Sequence, residues 1–369
     1  MNHDEATPRR QFLRTVAAGT CGLVGHGLMR DRPTAAAATS GKPILKNWIW
    51  RGNLRATSED DLKRTLSDFR QAGIHGILLG GGYERVIPLA REAGIEVHAW
   101  TWALNNGAMQ KKHPEWYTVN RNGVSVVEKP PYVGYYKWLC PTRPAVRRFL
   151  AERVDRLAAT EGLAGVHLDY IRYCDVILPV ALQPKYGLVQ DREMPQFDYC
   201  YCSACRAAFK EKEGIDPLEL PDPTASEAWR RFRWDSVTDV VNLLARVVHR
   251  RKLAITAAVF PTPALARKLV RQDWPRWNLN AVFPMIYHRF YNQPIEWIRT
   301  ATREGTAALP KERPLYSGVY NLKPDELARA VGLASEGGAQ GISVFGGFGA
   351  RHQQALRATL DHLPAAGVR

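Results

Sequence analysis

Short apolar segments alternate with amphipathic helical segments eight times along this 369-residue chain. A short apolar run bounded by Gly or Pro is typical of a buried strand, and a longer run with helical periodicity is typical of a surface helix. Strands that alternate with helices predict a parallel sheet, because each crossover helix returns the chain to the same end of the sheet. A regular eighth repeat favours a closed (β/α)8 barrel over an open, doubly wound sheet.

Gly, Pro and helix-capping residues set the boundaries of the repeats. Two long insertions, 105–143 and 174–224, follow the third and fourth predicted strands, and we expect one barrel domain over 39–369. Strands are predicted over 44–53, 74–79, 95–102, 163–169, 253–260, 279–287, 314–321 and 341–345, and helices over 58–73, 83–94, 144–162, 226–252, 263–270, 294–305, 323–338 and 352–363.

The first 38 residues have the pattern of an export signal. Arg9 and Arg10 precede a weakly apolar stretch, 16–29, and a run of alanines ends at Ala38. Paired arginines, a modest apolar segment and a small-residue cleavage site are typical of a twin-arginine signal peptide, with a disordered basic tail as the alternative. We therefore expect a mature protein that is periplasmic or secreted. No apolar run is long enough to cross a bilayer, so we expect no stable membrane association.

The chain is strongly basic, with a net charge of +15. Such a charge raises the question of a nucleic acid or an acidic polymer as partner. Lys and Arg are scattered along the chain, and neither a nucleic-acid-binding motif nor a nucleotide-binding glycine motif is present. We expect a solvated basic surface and no nucleic-acid partner, and an acidic glycan stays open as a substrate.

A carboxylate ends the fourth predicted strand, in the sequence GVHLDYIRY over 165–173. In a buried strand, Asp169 is either a structural hydrogen-bond acceptor or the acid of an active site. The second role is favoured because active sites of (β/α)8 barrels lie at the carboxyl ends of the strands. The guanidinium of Arg172 nearby would lower the pKa of this carboxyl and hold it ionised. We expect Asp169 to be catalytic.

Aromatic and polar residues follow the ends of the other predicted strands at the same rim. Rings stack on the apolar face of a sugar, and polar side chains bind its hydroxyls, so this combination predicts a carbohydrate site. Some of the aromatic residues must instead fill the barrel core. The expected substrate-binding residues are Trp50, Trp100, Trp102, Asn105, His167, Tyr170, Arg172, Tyr287, His288 and Asn321.

Glycoside hydrolysis usually requires a second carboxylate, and the fifth predicted strand ends without one. Asp273, in the sequence RQDWPRW over 271–277, is the expected general acid, with a role as helix cap or ion-pair partner as the alternative. Acids in the insertions stay candidates for the same role: Glu115, Asp175, Asp191, Glu193 and Asp198.

The segments GVHLDYIRY, QDWPRW and VFPMIYH, with HPEWYTVNRNG and WLCPTRP in the first insertion, carry a family resemblance. The chain resembles the barrels known as family-10-like glycosyl hydrolases, distant relatives of the α-amylase and α-galactosidase barrels, over nearly the whole predicted mature protein. The resemblance implies a (β/α)8 fold, action on a poly- or oligosaccharide, and a strand-four aspartate, here Asp169, as the nucleophile of a retaining mechanism. It implies no required cofactor.

Two other functions fit the same residues. The missing second carboxylate would suit a non-catalytic carbohydrate-binding barrel. A metal-dependent polysaccharide deacetylase would use His98, His167, Asp169 and His288, because His167 and Asp169 point to one face of a strand.

Three cysteines, Cys200, Cys202 and Cys205, are close together in the second insertion. This spacing is compatible with a structural zinc site whose fourth ligand is Cys140, Cys174 or a histidine. Disulfides compete with that interpretation in an exported protein. Both alternatives predict a structural clamp on the insertion.

Overall fold

The structure, a computed structural model, describes residues 45–54 and 58–363. The predicted export signal, 1–38, lies outside them. The described chain folds as the predicted barrel of eight parallel strands with helices between them. Its strands are β1 (Asn47–Asn53), β2 (Ile74–Gly81), β3 (Glu96–Trp102), β4 (Gly165–Asp169), β5 (Ala254–Val259), β6 (Ala281–Pro284), β7 (Tyr316–Tyr320) and β8 (Gly341–Phe345).

The helices surround the strands on the outside of the barrel. Ser58 caps the first of them, because its side chain accepts a hydrogen bond of 3.2 Å from the backbone N–H of Asp61. No helix among the described residues is long and apolar enough to span a membrane. The helices are α1 (Glu59–Gln71), α2 (Tyr83–Glu92), α3 (Pro144–Ala158), α4 (Ser203–Glu213), α5 (Glu227–Arg250), α6 (Pro263–Val270), α7 (Trp297–Ala307), α8 (Pro324–Glu336) and α9 (Ala350–His362).

The strands run in the order β6-β5-β4-β3-β2-β1-β8-β7, and the barrel nearly closes between β6 and β7. Only two isolated parallel bridges, Val282 to Leu315 and Met285 to Gly318, join those two strands in the described chain. β6 is shorter than predicted because Pro284 has no N–H to donate and the next residues form tight turns. Tyr287 and His288 therefore follow the strand at the rim.

Aromatic side chains fill the inside of the barrel. Trp48 and Trp50 point inward from β1, where Trp48 packs edge-on against His98 at 4.7 Å and Phe283 at 5.3 Å between ring centroids. Ile49 between them joins the core beneath the helices. Gly76 leaves room for this filling, because a Cβ atom there would lie 2.3 Å from the Trp48 ring.

Two long segments lie above the carboxyl ends of neighbouring strands. The β3–α3 segment (residues 103–143) and the β4–α4 segment (residues 170–202) are irregular apart from short turns and isolated bridges. One α-helix, α4, lies within 174–224, the second insertion predicted from the sequence. Its last turn is followed by Gly214 in the left-handed conformation at φ 79°, which is a common way to end a helix.

Candidate functional site

A cavity of about 260 Å³ lies at the carboxyl end of the barrel. Strand ends form its floor, and the β3–α3 and β4–α4 segments form part of its wall. A chemically active site in a (β/α)8 barrel lies at this end. The lining residues are Trp50, Trp100, Trp102, Tyr132, Tyr136, Asp169, Tyr170, Arg172, Asp175, Leu178, Pro179, Leu182, Tyr186, Phe260, Met285, Tyr287, Phe290, Tyr291 and Phe345.

Asp169 reaches this cavity from the last position of β4, and its residue surface is only 9% exposed. Its Oδ1 accepts a 2.7 Å hydrogen bond from the backbone N–H of Tyr170, and its Oδ2 accepts one of 3.0 Å from the Trp100 indole Nε1. Burial raises the pKa of the Asp169 carboxyl, and these two hydrogen bonds and the Arg172 charge only partly oppose it. The carboxyl is thus held in one orientation and keeps its proton to higher pH than a free aspartate.

Asp175 is the second carboxylate on the cavity wall, and Asp169 and Asp175 are the only two among the described residues that line it. Arg172 Nη1 donates to Asp175 Oδ2 at 2.9 Å and to the Tyr173 carbonyl at 3.0 Å. Both partners of this ion pair are buried. The cavity therefore contains one carboxyl without a salt-bridge partner and one carboxylate in a close ion pair.

Three aromatic rings surround the Arg172 guanidinium. Its central carbon lies 4.7 Å from the ring centroid of Trp138, 5.4 Å from that of Tyr170 and 5.1 Å from that of Phe260. Such contacts stabilise a cation by the negative faces of the rings. The rings and Asp175 together fix the guanidinium at the cavity wall.

The rest of the wall is largely aromatic. Trp50 and Trp100 pack edge-on at 5.2 Å between centroids, and Trp102 lies 4.6 Å from the ring of Tyr170. Trp102 is 39% exposed, so part of its side chain is accessible to a ligand. Exposed aromatic rings around a few fixed polar groups are typical of sites that bind a polyhydroxylated ring.

The structure brings most of the predicted substrate-binding residues to one place. His167 is instead buried inside the barrel, where its Nδ1 is 2.8 Å from Thr256 Oγ1. Asn105 lies in a neighbouring groove, and neither His288 nor Asn321 is among the residues that line the cavity. The predicted residues that do line it are Trp50, Trp100, Trp102, Asp169, Tyr170, Arg172 and Tyr287.

Asp273, the general acid expected from the sequence, does not line this cavity. It precedes a short 3-10 turn after α6, where its Oδ1 accepts hydrogen bonds from the Arg267 guanidinium at 2.8 Å and 2.7 Å. Its Oδ2 lies 3.4 Å from Arg276. This environment is that of an ion-pair partner, the alternative role weighed for it from the sequence.

A wider groove of about 900 Å³ adjoins the cavity. Trp100 and Trp102 contribute to the walls of both spaces, and Asn105, Arg153 and Phe149 line the groove alone. None of the described residues that line the groove carries a carboxylate. The groove can extend a binding site, but the groups suited to acid–base chemistry lie in the smaller cavity.

Two histidines of the barrel interior share one hydroxyl. His98 Nδ1 lies 3.3 Å from Thr256 Oγ1, the same atom that His167 contacts. Burial lowers the pKa of His98 to about 3 and that of His167 well below its ordinary value, so both rings are neutral. Among the described residues, no group of three or more His, Asp and Glu side chains converges on one point, as a deacetylase metal would require.

Tyr170 and Arg172 were predicted at the site, but other residues that the two long segments bring to the cavity were not singled out from the sequence. Tyr132 and Tyr136 come from the β3–α3 segment, and Tyr132 donates a 2.9 Å hydrogen bond to the backbone carbonyl of Asp175. Asp175 was one of five loop acids. Its position three residues after Arg172 was the available signal, because that spacing allows a local ion pair.

Known proteins resemble this chain in fold. No protein-family model and no curated protein sequence matches it. The glycoside hydrolase domain of PgaB (BpsB) from Bordetella bronchiseptica is similar over 86% of this chain and 99% of its own, with a TM-score of 0.64 and 14% identity. The catalytic domain of a β-amylase from Paenibacillus polymyxa is similar over 86% of this chain and 98% of its own, with a TM-score of 0.58 and 11% identity.

A β-galactosidase from the Antarctic haloarchaeon Halorubrum lacusprofundi is similar over 86% of this chain, with a TM-score of 0.59 and 13% identity. This chain spans 57% of that enzyme. At such low identity the likenesses concern the fold and not the activity. The described chain has the (β/α)8 fold that these glycoside hydrolases share.

Proposed function

We propose that the chain is a glycoside hydrolase that cleaves a poly- or oligosaccharide in the cavity at the carboxyl end of the barrel. One observation carries this proposal: two carboxylates, Asp169 and Asp175, line a single aromatic cavity at the end of the barrel where such enzymes act. The glycosidase-like fold supports it. The resemblance to family-10-like glycosyl hydrolases and the export signal at Arg9 and Arg10 belong to the same proposal.

The electrostatics of the pair assign the two roles. Burial raises the pKa of Asp169, which suits a proton donor, whereas the ion pair with Arg172 suits Asp175 as the anionic partner. This reverses the role of nucleophile that the resemblance implies for Asp169. Asp169 would give its proton to the glycosidic oxygen while Asp175 attacks the anomeric carbon. A water would then release the sugar and return a proton to Asp169.

The aromatic wall supports a sugar as the substrate. The exposed side chain of Trp102 can stack on a pyranose ring, and Arg172 and Tyr287 lie where they can bind hydroxyl groups. The groove beyond Trp102 offers room for further sugar units. Acidic glycans are among the proposed substrates because the chain has a net charge of +15.

The first experiment is a screen of the purified protein against polysaccharides and aryl glycosides, neutral and acidic. On the best substrate, Asp169→Asn should lower kcat about 100- to 10,000-fold, the usual contribution of a positioned acid or base. Asp60→Asn, in the exposed first turn of α1, is the matched control and should keep full activity. Unchanged turnover in Asp169→Asn would disprove the assignment, and a comparable loss in Asp273→Asn would support the sequence-based prediction instead.

A second experiment separates the two roles. An aryl glycoside whose phenol is a strong acid leaves without a proton, so Asp169→Ala should lose far less activity on it than on a natural substrate. Asp175→Ala should lose activity on both, and azide should restore turnover by replacing the missing nucleophile. The opposite pattern, with azide rescue of Asp169→Ala alone, would make Asp169 the nucleophile.

The two alternative functions predict other results. A carbohydrate-binding barrel without catalysis would show glycan binding that depends on Trp102 and no turnover on any substrate of the panel. A metal-dependent deacetylase would release acetate and lose activity with chelators. The geometry of the described histidines and carboxylates gives the deacetylase no support.

A further inference from the structure

Four cysteines converge at one buried point outside the candidate active site. Their Sγ atoms all lie within 4.8 Å of one another, and all four side chains are buried. Cys140 comes from the β3–α3 segment, Cys200 and Cys202 from the end of the β4–α4 segment, and Cys205 from the first turn of α4. Residues far apart in the chain thus build a single four-sulfur cluster.

The arrangement within the cluster resembles that of a metal site. The Cys140 sulfur lies 3.4 Å from that of Cys205 and 3.6 Å from that of Cys202. Four thiolates at a Zn–S distance of about 2.3 Å in a tetrahedron have their sulfurs about 3.8 Å apart. Two disulfides would join the cysteines in pairs, whereas here all four sulfurs lie within 4.8 Å of one another.

The polar groups around the sulfurs fit thiolate ligands. The backbone N–H groups of Val119 and Cys202 both donate toward the Cys200 sulfur at 3.5 Å. Outer hydrogen bonds of this kind orient and stabilise metal-bound ligands. They also satisfy the remaining lone pairs of a buried, charged sulfur.

We propose that Cys140, Cys200, Cys202 and Cys205 bind one structural zinc ion. Four thiolates in a closed, buried tetrahedron favour Zn²⁺ over harder cations and leave no open position for catalysis. The geometry selects Cys140 as the fourth ligand among the candidates left open by the sequence. Cys174, the other described cysteine, is buried but does not belong to the cluster.

The proposed zinc would clamp together the two segments that line the candidate active site. Near the cluster, the Tyr201 N–H donates to the Val119 carbonyl at 2.8 Å, so the segments are already paired there. The same segments place Tyr132, Tyr136 and Asp175 on the cavity wall. The proposed zinc site would therefore hold these residues in place through the backbone. It would not contact a ligand in the cavity.

Metal analysis of the full chain, expressed in zinc-supplemented medium, tests the proposal. We expect about one zinc per chain in the wild type and in Cys174→Ala, and almost none in Cys202→Ala. Cys174→Ala is a matched control, because it removes a buried thiol that does not belong to the cluster. Absence of zinc from the wild type, or equal zinc in Cys202→Ala, would overturn the proposal.

A measurement on the wild type alone guards against failure of Cys202→Ala to fold. Titration of the folded protein with a mercurial thiol reagent, in the presence of a metal indicator, should release the zinc as the four cluster thiols react. Loading with Co²⁺ in place of zinc should give the intense thiolate-to-metal absorption of a four-sulfur site. Disulfide-bonded cysteines in the intact mass, or no such absorption, would overturn it. None of these readouts requires a substrate, so they are independent of the proposed glycosidase activity.

Discussion

At the scale of single residues, the surroundings of Asp169 affect the pKa of its carboxyl in two opposite directions. Burial raises the pKa of its carboxyl, while the indole N–H of Trp100 and the backbone N–H of Tyr170 lower it. The balance decides over which pH range Asp169 keeps the proton that the proposed mechanism needs. A single hydrogen bond can therefore set the alkaline limit of activity.

Trp100→Phe should move the alkaline limb of the pH–activity profile to higher pH. The change keeps an aromatic ring on the wall but removes the donor that is 3.0 Å from Asp169 Oδ2, so the pKa of the carboxyl rises further. The measurement is kcat/KM against pH on the best substrate of the panel, because this profile reports the free enzyme. Trp50→Phe is the control, since the Trp50 indole N–H has no hydrogen-bond partner in the described chain. A limb that stays in place would show that Asp169 is not the titrating acid.

Stability should fall with acid because His98 and His167 are buried in their neutral forms. An unfolded histidine titrates near pH 6.5, whereas burial lowers the pKa of His98 to about 3. Between those values the unfolded chain binds a proton that the folded chain does not. Folding therefore loses about 1.4 kcal/mol per pH unit for each such histidine as the pH decreases.

Urea unfolding of the wild type and of His98→Gln at pH 7 and pH 5 measures this effect. The variant should lose about 2 kcal/mol less than the wild type over that interval, because one buried histidine no longer titrates. His362→Gln, at the exposed end of α9, should lose as much stability as the wild type. Equal losses in His98→Gln and the wild type would contradict the predicted linkage.

At the scale of elements, a buried ion pair attaches the β4–α4 segment to α5. Arg233 of α5 donates to Asp198, and neither side chain is exposed to solvent. Burial opposes the charge of Asp198, but the guanidinium groups of Arg233 and Arg271 outweigh it and lower the pKa of Asp198. A second donor, the Tyr201 hydroxyl, lies 2.7 Å from Asp198 Oδ2. This acid, a catalytic candidate in the sequence, has a structural role.

Arg233→Met should destabilise the protein by about 3–5 kcal/mol, since it leaves a buried carboxylate without its main partner. The surface variant Arg231→Met breaks an exposed ion pair with Glu227 on the same helix and should cost less than about 1 kcal/mol. Urea unfolding compares them. A similar, small cost for both would show that the buried pair does not anchor the segment.

At the scale of the whole molecule, the cavity and the wider groove meet at Trp102. A long substrate that continues from the cavity into the groove must pass this exposed ring. Trp102 can therefore control the preference for long over short substrates.

Trp102→Ala should lower kcat/KM for long oligosaccharides about fivefold more than for the shortest substrate that is cleaved, because one stacking contact contributes about 1 kcal/mol. A series of oligomers of increasing length, with wild type and variant side by side, gives this ratio. The same factor at every length would show that the groove does not bind substrate. Phe149→Leu, a change within the groove alone, should affect only the long substrates.

Local patterns of sequence were sufficient to predict the barrel and part of the site. Short-range periodicity of apolar residues predicts the alternation of strands and helices. Because the strand ends share one rim of the barrel, Asp169, Trp50, Trp100 and Tyr287 could be placed together. His167 was predicted at the rim because it belongs to the same strand as Asp169. It lies one layer deeper, since successive inward residues of a strand occupy different depths of the barrel.

The sequence by itself determined the (β/α)8 fold and the carboxyl at the end of the fourth strand, because both depend on neighbours along the chain. Only the tertiary structure decided which loop acid accompanies Asp169 and which cysteine completes the cluster. Asp175, and not Asp273, lines the cavity with Asp169, and Cys140, and not Cys174, belongs to the cluster. Both results follow from how the two irregular segments pack against each other. Such packing brings together residues that are far apart in sequence, and local periodicity does not predict contacts of this kind.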